Sequence, residues 1–95
     1  MSGLKVTSPA AGEVWQRRSL QSVRWESVER SGNNTVTVIL ENNADVVALI
    51  TANTPARYGK VSYRVPYSAS PAESYCVVIT DETGATARSG LFTIQ

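Results

Sequence analysis

Ninety-five residues make room for one domain, and a chain this short buries only about 60 to 65% of the surface its unfolded form exposes, so nearly every strong apolar run is expected in the core. Nine Lys and Arg face eight Asp and Glu, the net charge is +1, and no block of like charge reaches the density of a nucleic-acid arm or a polybasic membrane patch. No apolar run approaches the roughly eighteen residues of a membrane span, and the lone Cys76 has no internal partner, so neither a spanning segment nor a disulfide framework is expected.

Along the chain the apolar period is two almost everywhere. The opening Met1-Ser2-Gly3 runs into a strand pattern without a signal-peptide apolar stretch, which predicts a leaderless protein or a mature or excised module with an added start. Leu4 and Val6 alternate with polar neighbours up to Ser8-Pro9. Val14-Trp15 follows a turn marked by Pro9 and Gly12, and Val23 and Trp25 alternate with Ser22 and Arg24. In "TVTVILEN" Val36, Val38 and Leu40 face one way, and the cluster Asn42 to Asp45 turns the chain into "VVALIT". Val61, Tyr63 and Val65 follow, stopped by Pro66, and then Tyr75, Val77 and Ile79. "TDETGA" is a tight connection into a last strand ending Leu91 to Ile94. No window repeats apolar residues at helical spacing over three turns. The pattern predicts an all-β fold, an immunoglobulin/fibronectin-III-like antiparallel β-sandwich of seven or eight strands, in one domain over residues 1–95.

The two tryptophans read differently. Trp25 shares a strand face with Val23 and is expected in the core. Trp15 ends a strand against the polar Gln16-Arg17-Arg18-Ser19 turn, which fits a core-rim indole and, as the alternative, a ligand contact with Arg17 beside it. Cys76 has two readings as well. It lies in the apolar run Tyr75 to Ile79, where burial makes a thiol inert, but if Tyr75, Val77 and Ile79 point inward, Cys76 and Val78 join Ile39 and Val47 or Leu49 on an outer apolar stripe.

Catalysis finds few parts. With no histidine there is no Ser-His-Asp or Cys-His relay. A glycosidase needs two carboxyl groups facing across roughly 5 to 9.5 Å, whereas Asp81 and Glu82 are neighbours in a turn and Glu26 and Glu29 have no evident partner. No zinc cluster or EF-hand spacing exists, so no cofactor or metal is expected. Asn33-Asn34-Thr35 matches the glycosylation acceptor pattern.

An immunoglobulin strand order brings three connections to one end, 27–34, 52–59 and 81–85, gathering Asn33, Asn34, Asn53, Arg57, Tyr58, Asp81 and Glu82. The other end gathers Trp15, Arg17, Arg18, Asn42, Asn43, Asp45 and Tyr67. Sugar recognition needs an aromatic face for C–H groups and amides, carboxylates or guanidiniums for hydroxyls, and both ends have them. Tyr58 is slightly favoured, because it stands in the long stretch "TANTPARYG" with Arg57 beside it and Asn33, Asn53 and Asp81 on neighbouring loops.

The runs "VTSPAAGEVW", "SVRW", "VTVIL", "VSYRVP", "SYCVVITDETG" and "SGLFTI" together resemble the Kre9/Knh1-type domain of serine/threonine-rich fungal surface proteins. Matching positions are Ser8-Pro9, Gly12, Trp15, Trp25, Val65-Pro66, Tyr75, Asp81 and Ser89 to Phe92. The chain departs from that pattern at Arg17-Arg18, where the family usually places a small glycine-containing turn, and it carries no serine/threonine-rich tail. The resemblance implies an extracellular or cell-wall immunoglobulin-like module, non-catalytic, whose partner is a cell-wall polysaccharide (β-glucan) or surface glycan. The alternative is a structural spacer or a protein-interaction or adhesion module, with a protein partner or self-association in place of sugar.

Overall fold

The computed structural model describes residues 4–27, 35–82 and 84–95. In chain order these form β1 (Leu4–Ser8), β2 (Val14–Trp15), β3 (Leu20–Ser27), β4 (Thr35–Asn42), β5 (Asp45–Pro55), a 3-10 turn (Ala56–Tyr58), β6 (Lys60–Arg64), β7 (Ala72–Asp81), β8 (Thr86–Arg88) and β9 (Phe92–Ile94). Two sheets result. The smaller has the order β1-β3-β6 and the larger β2-β9-β7-β4-β5, with β8 also paired to β7. Every pairing is antiparallel except the short parallel one of β2 with β9.

The alternation read from the sequence is the reason the sheets stack. Val23 and Trp25 from β3 face Val36, Val38 and Leu40 from β4 and Tyr75, Val77 and Ile79 from β7, and Trp15, Val65, Phe92 and Ile94 complete the cluster. Trp25 keeps its polar atom satisfied, since Nε1–H donates to the Ala56 carbonyl at 3.0 Å. Val23 and Val77, both fully buried, fill the inter-sheet space without a covalent bridge. At the entry to β7 the Tyr75 hydroxyl donates to the Ser70 carbonyl at 2.6 Å, the tyrosine-corner arrangement of immunoglobulin-like sandwiches.

Two sequence expectations are refined. The single last strand divides into β8 and β9, with Ser89 to Leu91 between them. There Gly90 lies so close to Ala11 that a Cβ on it would meet the Ala11 Cβ at 2.6 Å, so the crossing requires glycine. Cys76 and Val78 hold outward register positions but are not an outer stripe: they are 8% and 4% exposed. Arg88, opposite Val78, reaches across β7 to Glu41, opposite Cys76, in an ion pair of 2.8 Å that roofs both side chains. Glu41 in turn holds the Arg88 guanidinium above its ordinary pKa. The Cys76 thiol donates to the Ser89 carbonyl at 3.3 Å. Apolar side chains on this sheet are exposed at its outer strand instead, at Val46, Val47 and Leu49 of β5.

Candidate functional site

β4 runs the length of the larger sheet, and its two ends define the two loop clusters. At its start Thr35 pairs with Pro55 and Val36 with Asp81. This end therefore brings the β5–β6 and β7–β8 connections together, as the strand order implies. Asn33 and Asn34, with the acceptor pattern they begin, lie outside the described residues. Glu82 is used to close the end, since one of its oxygens accepts from the Thr35 N–H at 3.0 Å and from the Thr35 hydroxyl at 2.6 Å. The Asp81 carboxylate accepts from the Ala85 N–H at 3.0 Å and so shapes its own turn. Tyr58 ends the 3-10 turn with its ring 60% exposed and the Arg57 guanidinium 5.6 Å from its centroid. Asn53 is exposed and takes a left-handed φ of 56°.

The opposite end is built around the turn after β2. The Ser19 N–H donates to the Gln16 carbonyl at 3.2 Å, and Arg18 has a φ of 70°, a region that costs a side-chain-bearing residue roughly 1 kcal/mol relative to glycine. The turn is tied to both sheets. The Arg17 N–H donates to the Gln95 carbonyl at 3.0 Å, the Arg18 N–H to the Val65 carbonyl at 2.7 Å, and the Arg64 guanidinium to the Arg18 carbonyl at 2.9 Å.

Because of the left-handed step, two adjacent arginines converge where an extended backbone would send them apart. Their guanidinium carbons lie 5.2 Å (Arg17) and 4.4 Å (Arg18) from the centroid of the Tyr67 ring. Arg17 also donates to the Tyr67 carbonyl at 3.4 Å. Tyr67 remains 63% exposed with both cations against it. Gln16, Arg17, Arg18, Tyr67 and Gln95 line an open cavity of about 390 Å³. Nearby, Leu40, Val47, Tyr63, Pro66 and Tyr75 contribute to a narrower groove of about 210 Å³ between the sheets.

Trp15 is not on this surface. It is 0% exposed, packed 4.6 Å from the Phe92 ring centroid, with its Nε1–H donating to Glu13 at 3.1 Å, so its indole is a core group with no face open to a ligand. Asn42, Asn43 and Asp45 belong to the β4–β5 hairpin. The Ser74 hydroxyl donates to the Asn42 side-chain oxygen at 2.6 Å, and φ of 53° at Asn43 and 71° at Ala44 makes a two-residue turn of the primed kind. Of the residues nominated from the sequence, Arg17 thus sits beside an exposed ring and a cavity. The ring itself, Tyr67, is the residue that sequence reasoning underweighted; its signal was the Pro66-Tyr67 step just past a strand end, opposite the arginine pair.

Among the described residues no group of three or more His, Cys, Asp and Glu is placed to hold a metal, and no helix is long and apolar enough to cross a membrane. A two-sheet sandwich with polar loop clusters at its ends defines a module of the immunoglobulin-like class. The chain matches the Kre9/KNH-like N-terminal Ig-like domain over residues 8–94, and it belongs to that family. No curated protein matches it. Among solved structures it is similar to Drosophila OTK, extracellular domains 3-5, with a TM-score of 0.57 and 11% identity over 98% of this chain and 34% of that one. The chain thus spans about a third of that structure, and the likeness is one of fold alone. Fibronectin(III)-like modules of Clostridium thermocellum CbhA align over 96% of this chain and 91% of theirs, at 14% identity and a TM-score of 0.46.

Proposed function

We propose that this domain is a glycan-associating module of a secreted or wall-attached protein, and that the Tyr67 end is its contact surface. The observation that carries the reading is the exposed Tyr67 ring beside Arg17 and Arg18, with the Gln16 and Gln95 side chains lining the same cavity. An aromatic face accepts sugar C–H groups, while amides and guanidiniums supply the directional hydrogen bonds for hydroxyls. Membership of a family whose resemblance implies cell-wall proteins supports the same reading. The end carrying Tyr58, Arg57, Asn53 and Asp81 is the competing surface, with an exposed ring and a cation beside it.

Co-sedimentation with insoluble β-glucan, chitin and mannan, with soluble sugars as competitors, tests the proposal. Saturable retention that competitor sugar reverses is the expected result, and no retention on these polymers or on an acidic polysaccharide rejects it. A second reading, a protein-contact module acting through a second copy of the chain, is favoured by the exposed Val46, Val47 and Leu49 on the outermost strand β5. Sedimentation velocity over a concentration series distinguishes it: a rising sedimentation coefficient that Leu49→Lys abolishes supports self-association.

A further inference from the structure

We infer that the glycan held at the Tyr67 end is an acidic one, carrying carboxylate or phosphate groups. This rests on the glycan reading above and specifies its ligand class. Three arginines, Arg17, Arg18 and Arg64, meet in this one turn, in a chain whose net charge is only +1. Among the described residues neither Arg17 nor Arg18 has a carboxylate partner; the ion pair of the fold, Arg88 with Glu41, is on the outer face of the larger sheet. The two guanidiniums rest instead on a π face, and Arg17 directs one N–H to the Tyr67 carbonyl at 3.4 Å. The side chains that line the cavity beside them are two amides, two guanidiniums and a phenol.

Two donor forks held side by side suit oxyanions, because each planar guanidinium presents paired N–H groups that match carboxylate or phosphate oxygens bidentately. The backbone adds a second argument. Arg18 occupies a left-handed position that glycine would take without strain, and the strained residue is the one that brings the second cation onto Tyr67. A turn needing only to change direction would do better with glycine there.

The experiment immobilises four polymers: a neutral β-glucan, a polyuronate, a phosphorylated mannan and, as a charge control without sugar, polyglutamate. Affinity of the full chain is measured at about 0.05 M and about 0.5 M NaCl, between which the screening length shrinks severalfold. The expected result is at least a tenfold preference, about 1.4 kcal/mol, for one or both acidic glycans over β-glucan and over polyglutamate, lost at the higher salt. The better of the two acidic glycans identifies the anionic group. Arg17→Gln and Arg18→Gly should each erase the preference, and Arg18→Gly should do so without lowering the melting temperature, because it relieves the left-handed strain. Equal, salt-insensitive affinity for β-glucan overturns the inference and leaves the glycan reading standing. Equal affinity for polyglutamate shows charge attraction without sugar recognition and overturns the inference as well. Retention on none of the four overturns the inference, and the glycan reading falls with it when chitin and mannan fail to retain the chain as well.

Discussion

Tyr75 concentrates the residue-scale physics of this fold. Its ring is buried 6.2 Å from the Phe92 ring centroid, and its hydroxyl is satisfied by a single acceptor, the Ser70 carbonyl. Tyr75→Phe keeps the ring and removes the donor, leaving that carbonyl to find water, and should cost about 1 kcal/mol in chemical denaturation. Burial raises the pKa of Tyr75, against a smaller opposing effect of the Ser70 hydrogen bond, and it raises that of Tyr63, where the neighbouring Tyr75 adds to the shift. Both folded values lie above the ordinary 10.0, so the stability tied to the neutral phenols is complete below pH 10 and is lost as pH climbs through the raised values. A melting-temperature series against pH should therefore fall on the alkaline side, together with the rise of tyrosinate absorbance. Cys76 makes a separate point: roofed by the Arg88–Glu41 pair, its thiol should react slowly with a thiol reagent in the native state and fast in denaturant. Rapid native labelling would mean that the roof is open. At this scale Trp25 as core was legible because it shares a strand face with Val23. Trp15 was harder to place, since a polar turn follows it directly in sequence while its burial comes from Phe92, Tyr63 and Glu13, two of them distant along the chain.

Among the elements, the strands with clean alternation were legible and those with extra residues were not. β4 alternates as far as Leu40, whereas the eleven residues of β5 lie against the eight of β4 with register shifts between Val36 and Val38, Val38 and Ile39, and Leu40 and Glu41. Each shift moves the following side chains to the other face, which is why Val46 and Val47 are both exposed and no sequence period predicts them. The same irregularity bends an outer strand away from a regular ladder and so protects an unpaired edge. The parallel pairing of β2 with β9 was equally hidden, since two-residue strands carry no period. It depends on the crossing of the two connections at Ala11 and Gly90. Gly90→Ala should lower stability by about 1 to 3 kcal/mol, because the added Cβ meets the backbone and side chain of Ala11, and a chain that melts as before would show that the connections do not approach so closely.

For the whole molecule, the sandwich keeps two loop clusters at opposite ends of β4 and gives each a different chemistry. One end uses its carboxylates internally, Asp81 in its own turn and Glu82 on Thr35, while the other leaves the Arg17 and Arg18 guanidiniums on an exposed ring. That both ends hold sugar-type residues was legible from the strand order; which end holds a ring, donors and a cavity together was not, because it depends on the φ of Arg18 and on a contact spanning some fifty positions, from Arg17 to Tyr67. The most direct measurement compares Tyr67→Ala and Tyr58→Ala in titrations with the polysaccharide that retains the parent domain. Both rings are largely exposed, so neither substitution should shift the melting temperature by more than a few degrees. With Tyr67→Ala, affinity should fall at least tenfold, about 1.4 kcal/mol, and with Tyr58→Ala it should remain within about twofold of the parent. Loss with Tyr58 and retention with Tyr67 would contradict the account and move the site to the other end.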